Sequence, residues 1–282
     1  MKKWSLFLTL YLCLCLLAAC AASGSGPEGA AQSGGAALVC RVVEAEGSTL
    51  TLAGTGEDRS VYVISLEDAA LTLDGAPWDP AGPGAAQMLP GGQMAGALAE
   101  VSYDGGIQES WPAGLEGVTA VDLRTDGFDD RCALYLDVLE DLWSVDEGSQ
   151  GEGLPYIGVD LSQTALAPGE QAAVAWIFAG RHGGRALEGT YEELVEQGYI
   201  TSEPLEDGQG QFWQWEDGVL FTIAEQEPPA EDPSPAAQGT PMCFDAWKWR
   251  SSLGAYYFSD CTAVQSADGC WDDYHVGSEI VS

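Results

Sequence analysis

An α+β fold is predicted by three features of this 282-residue chain. Short apolar runs punctuated by turn residues fill 37–124 with no helical periodicity. Helix-spaced apolar residues begin only after Asp129, and strand-like runs return from Gln211 onward. The expected architecture is a small N-terminal antiparallel all-β domain (37–124), a barrel or a sandwich with an OB-like form among the options. An α+β domain (125–282) follows, its helices packed on an antiparallel sheet.

In the first domain, Leu38-Val39-Cys40-Arg41-Val42-Val43 leads through a Gly47-Ser48 turn to Thr49-Leu50-Thr51-Leu52. Val61–Ile64 and Leu71–Leu73 follow, and Asp74-Gly75 is a two-residue hairpin signal. A Pro/Gly-rich loop fills 77–96. Leu98–Tyr103, a turn at Asp104-Gly105-Gly106 and Gly117–Leu123 close the set.

In the second domain, Asp129 or Asp130 is placed to cap a helix through about Trp143, with Cys132, Leu136, Leu139 and Trp143 on one face. Tyr156–Leu161 reads as a strand. Pro168 and Glu170 suit the first turn of a helix that stops at Gly183. Thr190 and Glu193 fit a capping box, and Gly198 ends that short helix. Strands are expected at Gln211–Trp215, Val219–Ala224, Trp247–Arg250, Gly254–Val264 and Tyr274–Val281, with a Pro/acidic loop at 225–241.

The N-terminus carries an address. Lys2 and Lys3 precede an apolar stretch from Leu6 to Leu17, and the tetrapeptide Leu17-Ala18-Ala19-Cys20 ends it. This is the n-region, h-region and small-residue site of an export signal, and its Cys ending resembles a bacterial lipoprotein signal. Residues 1–20 are therefore expected to be a leader with Cys20 as the lipidated residue. The expected location is the outer face of the cell membrane, with the membrane as partner through that lipid. The uncleaved-anchor alternative has Trp4–Ala22 without a charge, but its strongly apolar part is short for a span and no basic cluster follows. Residues 21–36 (AASGSGPEGAAQSGGA) form a Gly/Ala/Ser tether with a reach of roughly 20–24 Å.

The formal charge is −34, moving to about −36 once Lys2 and Lys3 leave with the leader. That argues against nucleic-acid binding, which needs a basic patch, and against adsorption to anionic lipid. Beyond the leader five cysteines remain: Cys40, Cys132, Cys243, Cys261 and Cys270. No CxxC spacing and no nearby His support zinc, and no cofactor is expected. A disulfide among the last three is the alternative to buried thiols.

No hydrolase, phosphate-loop, zincin or dinucleotide motif is present, so no catalytic residue is assigned. Two acidic clusters, Asp126/Asp129/Asp130 and Asp268/Asp272/Asp273, lie at turns and carry either solvated charge or a hard cation. Basic residues are scarce, so Arg181, His182, Arg185 and the alternating Lys248 and Arg250 are candidates for an anion pocket, set against pairing with nearby acids. Trp213/Trp215 and Trp247/Trp249 each put two rings on one strand face, to stack on a sugar or to fill a core. The expected role is a non-catalytic envelope protein that binds an unknown ligand or protein partner. The rival is an extracellular hydrolase using scattered carboxylates with His182 or His275.

The leader through Cys20, Gly158–Thr164 (GVDLSQT), Thr190–Ile200 and Trp247–Thr262 (WKWRSSLGAYYFSDCT) resemble uncharacterised two-domain lipoproteins of Gram-positive gut anaerobes. That resemblance implies a lipid-anchored, two-part protein and assigns no activity and no functional residue.

Overall fold

The structure, a computed structural model, describes residues 36–145, 153–205, 209–227 and 239–281. Cys20, the tether up to residue 35 and most of the 225–241 loop lie outside the described residues. Gly35–Ser282 form one compact unit. Among the described residues its composition is α+β, two sheets with three α-helices.

The first sheet holds β1 (Ala36–Glu46), β2 (Thr49–Gly54), β3 (Val61–Ser65), β4 (Ala70–Leu73), β5 (Ala76–Pro77), β6 (Leu98–Tyr103), β7 (Ala113–Gly114) and β8 (Val118–Arg124). Its order is β5-β4-β8-β6-β1-β2-β3-β7. The path is open at β5 and β7, so the expected barrel does not close. Nor is the sheet wholly antiparallel, because β4 runs parallel to β8 and β3 parallel to β7. The cause is a long excursion: after 77–96 the chain lays β6 against β1, then returns to insert β8 between β4 and β6. The hairpin signal is realised, with Asp74 at φ 50° and Gly75 at φ 76°, the two positive values a primed turn requires. Asp122 Oδ1 accepts from the Gly75 N–H at 2.9 Å and pins that turn to β8.

The second sheet holds β9 (Tyr156–Gln163), β10 (Arg185–Glu188), β11 (Thr201–Pro204), β12 (Gln211–Gln214), β13 (Gly218–Gln226), β14 (Thr240–Ser251), β15 (Gly254–Gln265), β16 (Trp271–His275) and β17 (Ser278–Val281). Its spine is β10-β9-β13-β14, and β15 continues from β14 to hold β16 and β17. The antiparallel expectation is corrected here too, since β9 is parallel to both β10 and β13. The reason is a β-α-β crossover: a helix leaves β9 and returns the chain to lay β10 alongside it in the same direction. Strand β10, Arg-Ala-Leu-Glu, is too short and too charged to announce itself in the sequence.

Helix α1 (Arg131–Ser144) buries Cys132, Leu136 and Leu139 as its periodicity predicts. Helix α2 (Pro168–Arg181) opens with Pro168 and a Glu170 carboxylate that accepts from the Ala167 N–H at 2.8 Å; Gly183 lies just past its end at φ 70°. Helix α3 (Tyr191–Glu196) has the full capping box. Thr190 Oγ1 accepts from the Glu193 N–H at 3.2 Å, and Glu193 Oε2 accepts from the Thr190 N–H at 2.8 Å.

Helix α2 explains how the sheets share one unit. Its buried residues include Gly169, Ala172, Ala173, Ala175 and Ala179, small side chains on more than one face. They pack in a single apolar cluster with Val43, Ala53 and Val61 of the first sheet and Ile157, Val159 and Phe221 of the second. A Cβ on Gly169 would lie 2.8 Å from the Gly54 carbonyl oxygen and 2.9 Å from that of Ser60. The helix is therefore seated directly on the β2–β3 backbone. The opposite face of the first sheet has its own core of Val42, Leu50, Leu52, Val101 and Leu123, closed by Leu89, Phe128 and Cys270.

Candidate functional site

The start of α1 is built into a polar network that ties the two sheets together. Arg41, between buried Cys40 and Val42 on β1, donates from Nη1 to the carbonyls of Gly96 (2.8 Å) and Gly127 (2.6 Å). Its Nε donates to Glu170 Oε1 of α2 at 3.2 Å. Asp130 is 7% exposed, and its carboxylate accepts from Gln93 Nε2 (3.1 Å) and the Trp271 N–H (2.8 Å). Asp129 Oδ1 accepts from Trp271 Nε1 at 2.7 Å and the Arg131 N–H at 3.0 Å. The capping expectation thus holds in altered form: Asp129 carries the local bond, while Asp130 makes no side-chain cap and reaches across to β16 instead.

A second knot adjoins the first. Glu225 Oε1 accepts from Tyr135 Oη (2.6 Å), the Ala165 N–H (2.8 Å) and Arg131 Nη1 (3.3 Å). The Arg131 guanidinium also lies over the Trp271 ring, 4.8 Å from its centroid. Burial first, then the bond to Glu225, pushes the Tyr135 hydroxyl far above its ordinary pKa, so it remains a donor.

Beside this network opens a cleft of about 640 Å³, lined by residues of β1, the 91–95 loop, α1 and β16. Glu44, Glu46, Asp130, Asp137 and Asp272 contribute carboxylates to it, Arg181 the one basic side chain, and Trp271 and Tyr274 aromatic surface. Burial raises the Asp130 and Asp137 carboxyl pKa values above the ordinary carboxylate value. The single thiol in the lining, Cys270, is pushed up to about 12, by burial first and then by Asp130 and other acids. It therefore stays protonated near neutrality and makes a poor nucleophile. The five cysteines among the described residues are all free thiols, so the disulfide alternative is not realised there.

The two acidic clusters, far apart in sequence, meet in space. Trp271 bonds both Asp129 and Asp130, and Asp126 and Asp268 line one further cleft of about 560 Å³. Asp126 pairs with Arg124 at 2.5 Å, and Asp268 accepts from Ser266 Oγ at 2.5 Å. Among the described residues no three His, Cys, Asp or Glu side chains are grouped to hold a metal ion. The side chain of Asp273 lies outside that description.

The basic candidates do not converge on one pocket. Arg181 bonds Glu44 (2.7 Å) and Glu140 (3.1 Å), and His182 Nε2 lies 2.9 Å from Glu140 Oε2. The His182 ring stacks on Trp143 with centroids 3.8 Å apart. Arg185 is exposed on β10. Lys248 is 2% exposed and donates to the Val145 carbonyl at the end of α1. Arg250 bonds the Glu216 carbonyl at 3.2 Å. His275 is exposed on β16.

Three of the four tryptophan candidates gather under α3. Trp215 is 1% exposed and packs with Leu194, Ile200 and Leu220, flanked by half-buried Trp213 and Trp249. Tyr191 meets Trp249 and Trp213 edge-on at 5.0 and 6.3 Å. Trp247 stacks on Tyr257 at 6.2 Å. These rings spend much of their surface on one another.

Arg41, Gln93, Arg131 and Glu225 were not singled out from the sequence, Glu170 was read only as a helix-start residue, and Trp271 only as one of many aromatics in the last third. One signal was there to read: Arg41 interrupts the apolar run Leu38-Val39-Cys40 and Val42-Val43, and a cation set in such a run needs a partner.

No protein-family model, no curated protein and no solved structure matches this chain.

The carboxyls raised by burial set a pH dependence. Asp130, Asp137, Asp141 and Glu188 all have folded-state pKa values above their ordinary ones. The folded state then holds protons that the unfolded state releases, so their stability contribution is lost as pH rises from about 4 through the raised values. Shedding part of the −34 charge acts in the same direction. The thermal midpoint, followed by circular dichroism, should be higher near pH 5 than near pH 8. A midpoint that falls steadily on acidification from pH 8 would refute this.

Proposed function

We propose that this chain is a lipid-anchored extracytoplasmic protein that holds a ligand in the 640 Å³ cleft beside the α1 network. The cleft carries the reading: its size is that of a small-molecule site, and its floor is fixed by bonds from Asp129, Asp130 and Gln93 rather than by loose side chains. Binding, not turnover, is the role it supports best. Its lining offers no histidine, serine or threonine, and its one thiol is held protonated. The rival hydrolase reading draws on His182 beside Glu140, but the stacked Trp143 covers one face of that imidazole.

The address is tested by Cys20→Ser, which should move the protein from the membrane fraction to the medium with its fold intact. Unchanged fractionation would favour an uncleaved anchor. Occupancy is tested with Ala133→Trp, which fills the cleft wall. In a thermal-shift screen of envelope-derived small molecules, any ligand of this site should stabilise the parent and not the filled variant. Equal stabilisation of both would place the ligand elsewhere.

A further inference from the structure

Resting on the reading of the cleft as a ligand site, we propose that its ligand is a small amphiphile whose apolar end sits in a second pocket, under the 77–96 loop. That pocket has a volume of about 260 Å³ and is walled by Trp78, Pro80, Ala86, Leu89 and Met94. Ala45, Gln93 and Ala95 line both it and the 640 Å³ cleft, so the two spaces meet along one short edge. Two of those three side chains are single methyl groups, which makes the sill between the spaces low. A ligand lying across it has one end in each.

The loop is built to stand off the sheet and to keep its shape. Its prolines break strand pairing, and the chain winds instead into short 3₁₀ turns at Ala86–Met88 and Pro90–Gly92. Leu89, between the two turns, is 6% exposed and anchors them in the core of the first sheet. Further along, Gln93 is held by Asp130, and the Gly96 carbonyl accepts from Arg41 and from the Asp129 N–H at 2.9 Å. The pocket wall is therefore fixed at both ends. An ordered loop of this length is more often a binding element than a mere connection.

Size and chemistry identify the occupant. An apolar cavity of roughly 150 Å³ is enough for benzene. The 260 Å³ here takes one ring with a short substituent, or a short branched chain, and is far too small for a helix or strand of a partner protein. No charged side chain lines it. Trp78, Leu89 and Met94 offer dispersion contacts, and the unbranched Met94 adapts to the shape of what it meets. The polar cleft beyond the sill takes the other end of the molecule.

The probe is para-fluorobenzyl alcohol, followed by fluorine NMR with the full chain in lipid nanodiscs and empty nanodiscs as the blank. Saturable binding is expected, with a dissociation constant of about 1 mM, within reach of a ligand of about nine heavy atoms. Ala86 is exposed on the pocket wall, so Ala86→Phe fills the space without disturbing the core and should weaken the probe by about tenfold or more. Met94→Gln keeps the side-chain length but sets an amide against the ring, and should weaken it several-fold. Thr119→Phe adds the same ring to an exposed position on β8 outside both spaces and should leave the affinity unchanged. The proposal is overturned if the probe does not saturate above the blank, or if Ala86→Phe binds it as tightly as the parent. A ligand blocked by Ala133→Trp but indifferent to Ala86→Phe would also overturn the apolar-end assignment, while upholding the cleft as a ligand site.

Discussion

Gly169→Ala should destabilise the protein by about 2–4 kcal/mol, a drop in thermal midpoint of roughly 5–12 °C. The added Cβ would sit 2.8 Å from the Gly54 oxygen, 2.9 Å from the Ser60 oxygen and 3.0 Å from the Gly54 nitrogen. All three are backbone atoms of the β2–β3 hairpin, so no side chain can rotate out of the way. Either α2 lifts from the first sheet, losing contacts to Ala53 and Val61, or the hairpin distorts. Gly180 supplies the comparison within the same helix. It is exposed and a Cβ there meets nothing within 4 Å, so Gly180→Ala should be neutral or stabilise by about 0.5 kcal/mol. Two Gly-to-Ala changes in one helix thus carry opposite signs. Equal midpoints for the two variants would show that the close seating of α2 is not what the structure implies.

Glu225→Ala should cost about 3 kcal/mol, because it strands two part-buried donors, Tyr135 Oη and Arg131 Nη1, while the exposed Ala165 N–H turns to water. Tyr135 Oη, the Ala165 N–H and Arg131 Nη1 all use the one Oε1 atom, and Arg131 is only 17% exposed. Buried donors left unpaired lose their solvation without recompense. Glu225→Gln should cost about half as much, since an amide oxygen still accepts from Tyr135 while the charge facing Arg131 is gone. Urea unfolding monitored by tryptophan fluorescence separates the two through their midpoints. A loss below about 1 kcal/mol for Glu225→Ala would mean that water replaces the carboxylate at little cost.

What the sequence made legible were local devices. Pro168 with Gly183, Thr190 with Glu193 and Gly198, and the Asp74-Gly75 turn each act within a few residues, and each appears where its chemistry requires. Strand direction is another matter. The run Tyr156–Leu161 is apolar whether its neighbours are parallel or antiparallel, so the β9–β10 and β9–β13 pairings could not be read from it. The cleft was hidden for a related reason. Asp130 and Trp271 are 141 positions apart, and nothing in either neighbourhood announces the other. Asp129 and Asp130 did stand out among the acids, but as cap or cation ligands. Their joint role in fixing Trp271 depends on a β16 strand that passes the start of α1, a fact of tertiary packing alone.

The seating of α2 has a consequence for how this molecule comes apart. A helix with two sheets as neighbours cannot be uncovered on one side without exposing apolar surface that the other side alone does not bury. Loosening the first sheet strips Ala53 and Val61 from α2, and loosening the second strips Ile157 and Val159 from it. Arg41 to Glu170, Arg59 to Glu188 and Arg181 to Glu44 stitch the same boundary with charge. The architecture therefore disfavours partial opening and makes the whole compact unit one foldon, in which both sheets yield together. For a protease to cut within the described strands and helices, the susceptible form is then the globally unfolded one, and resistance there is set by how rarely that form is visited.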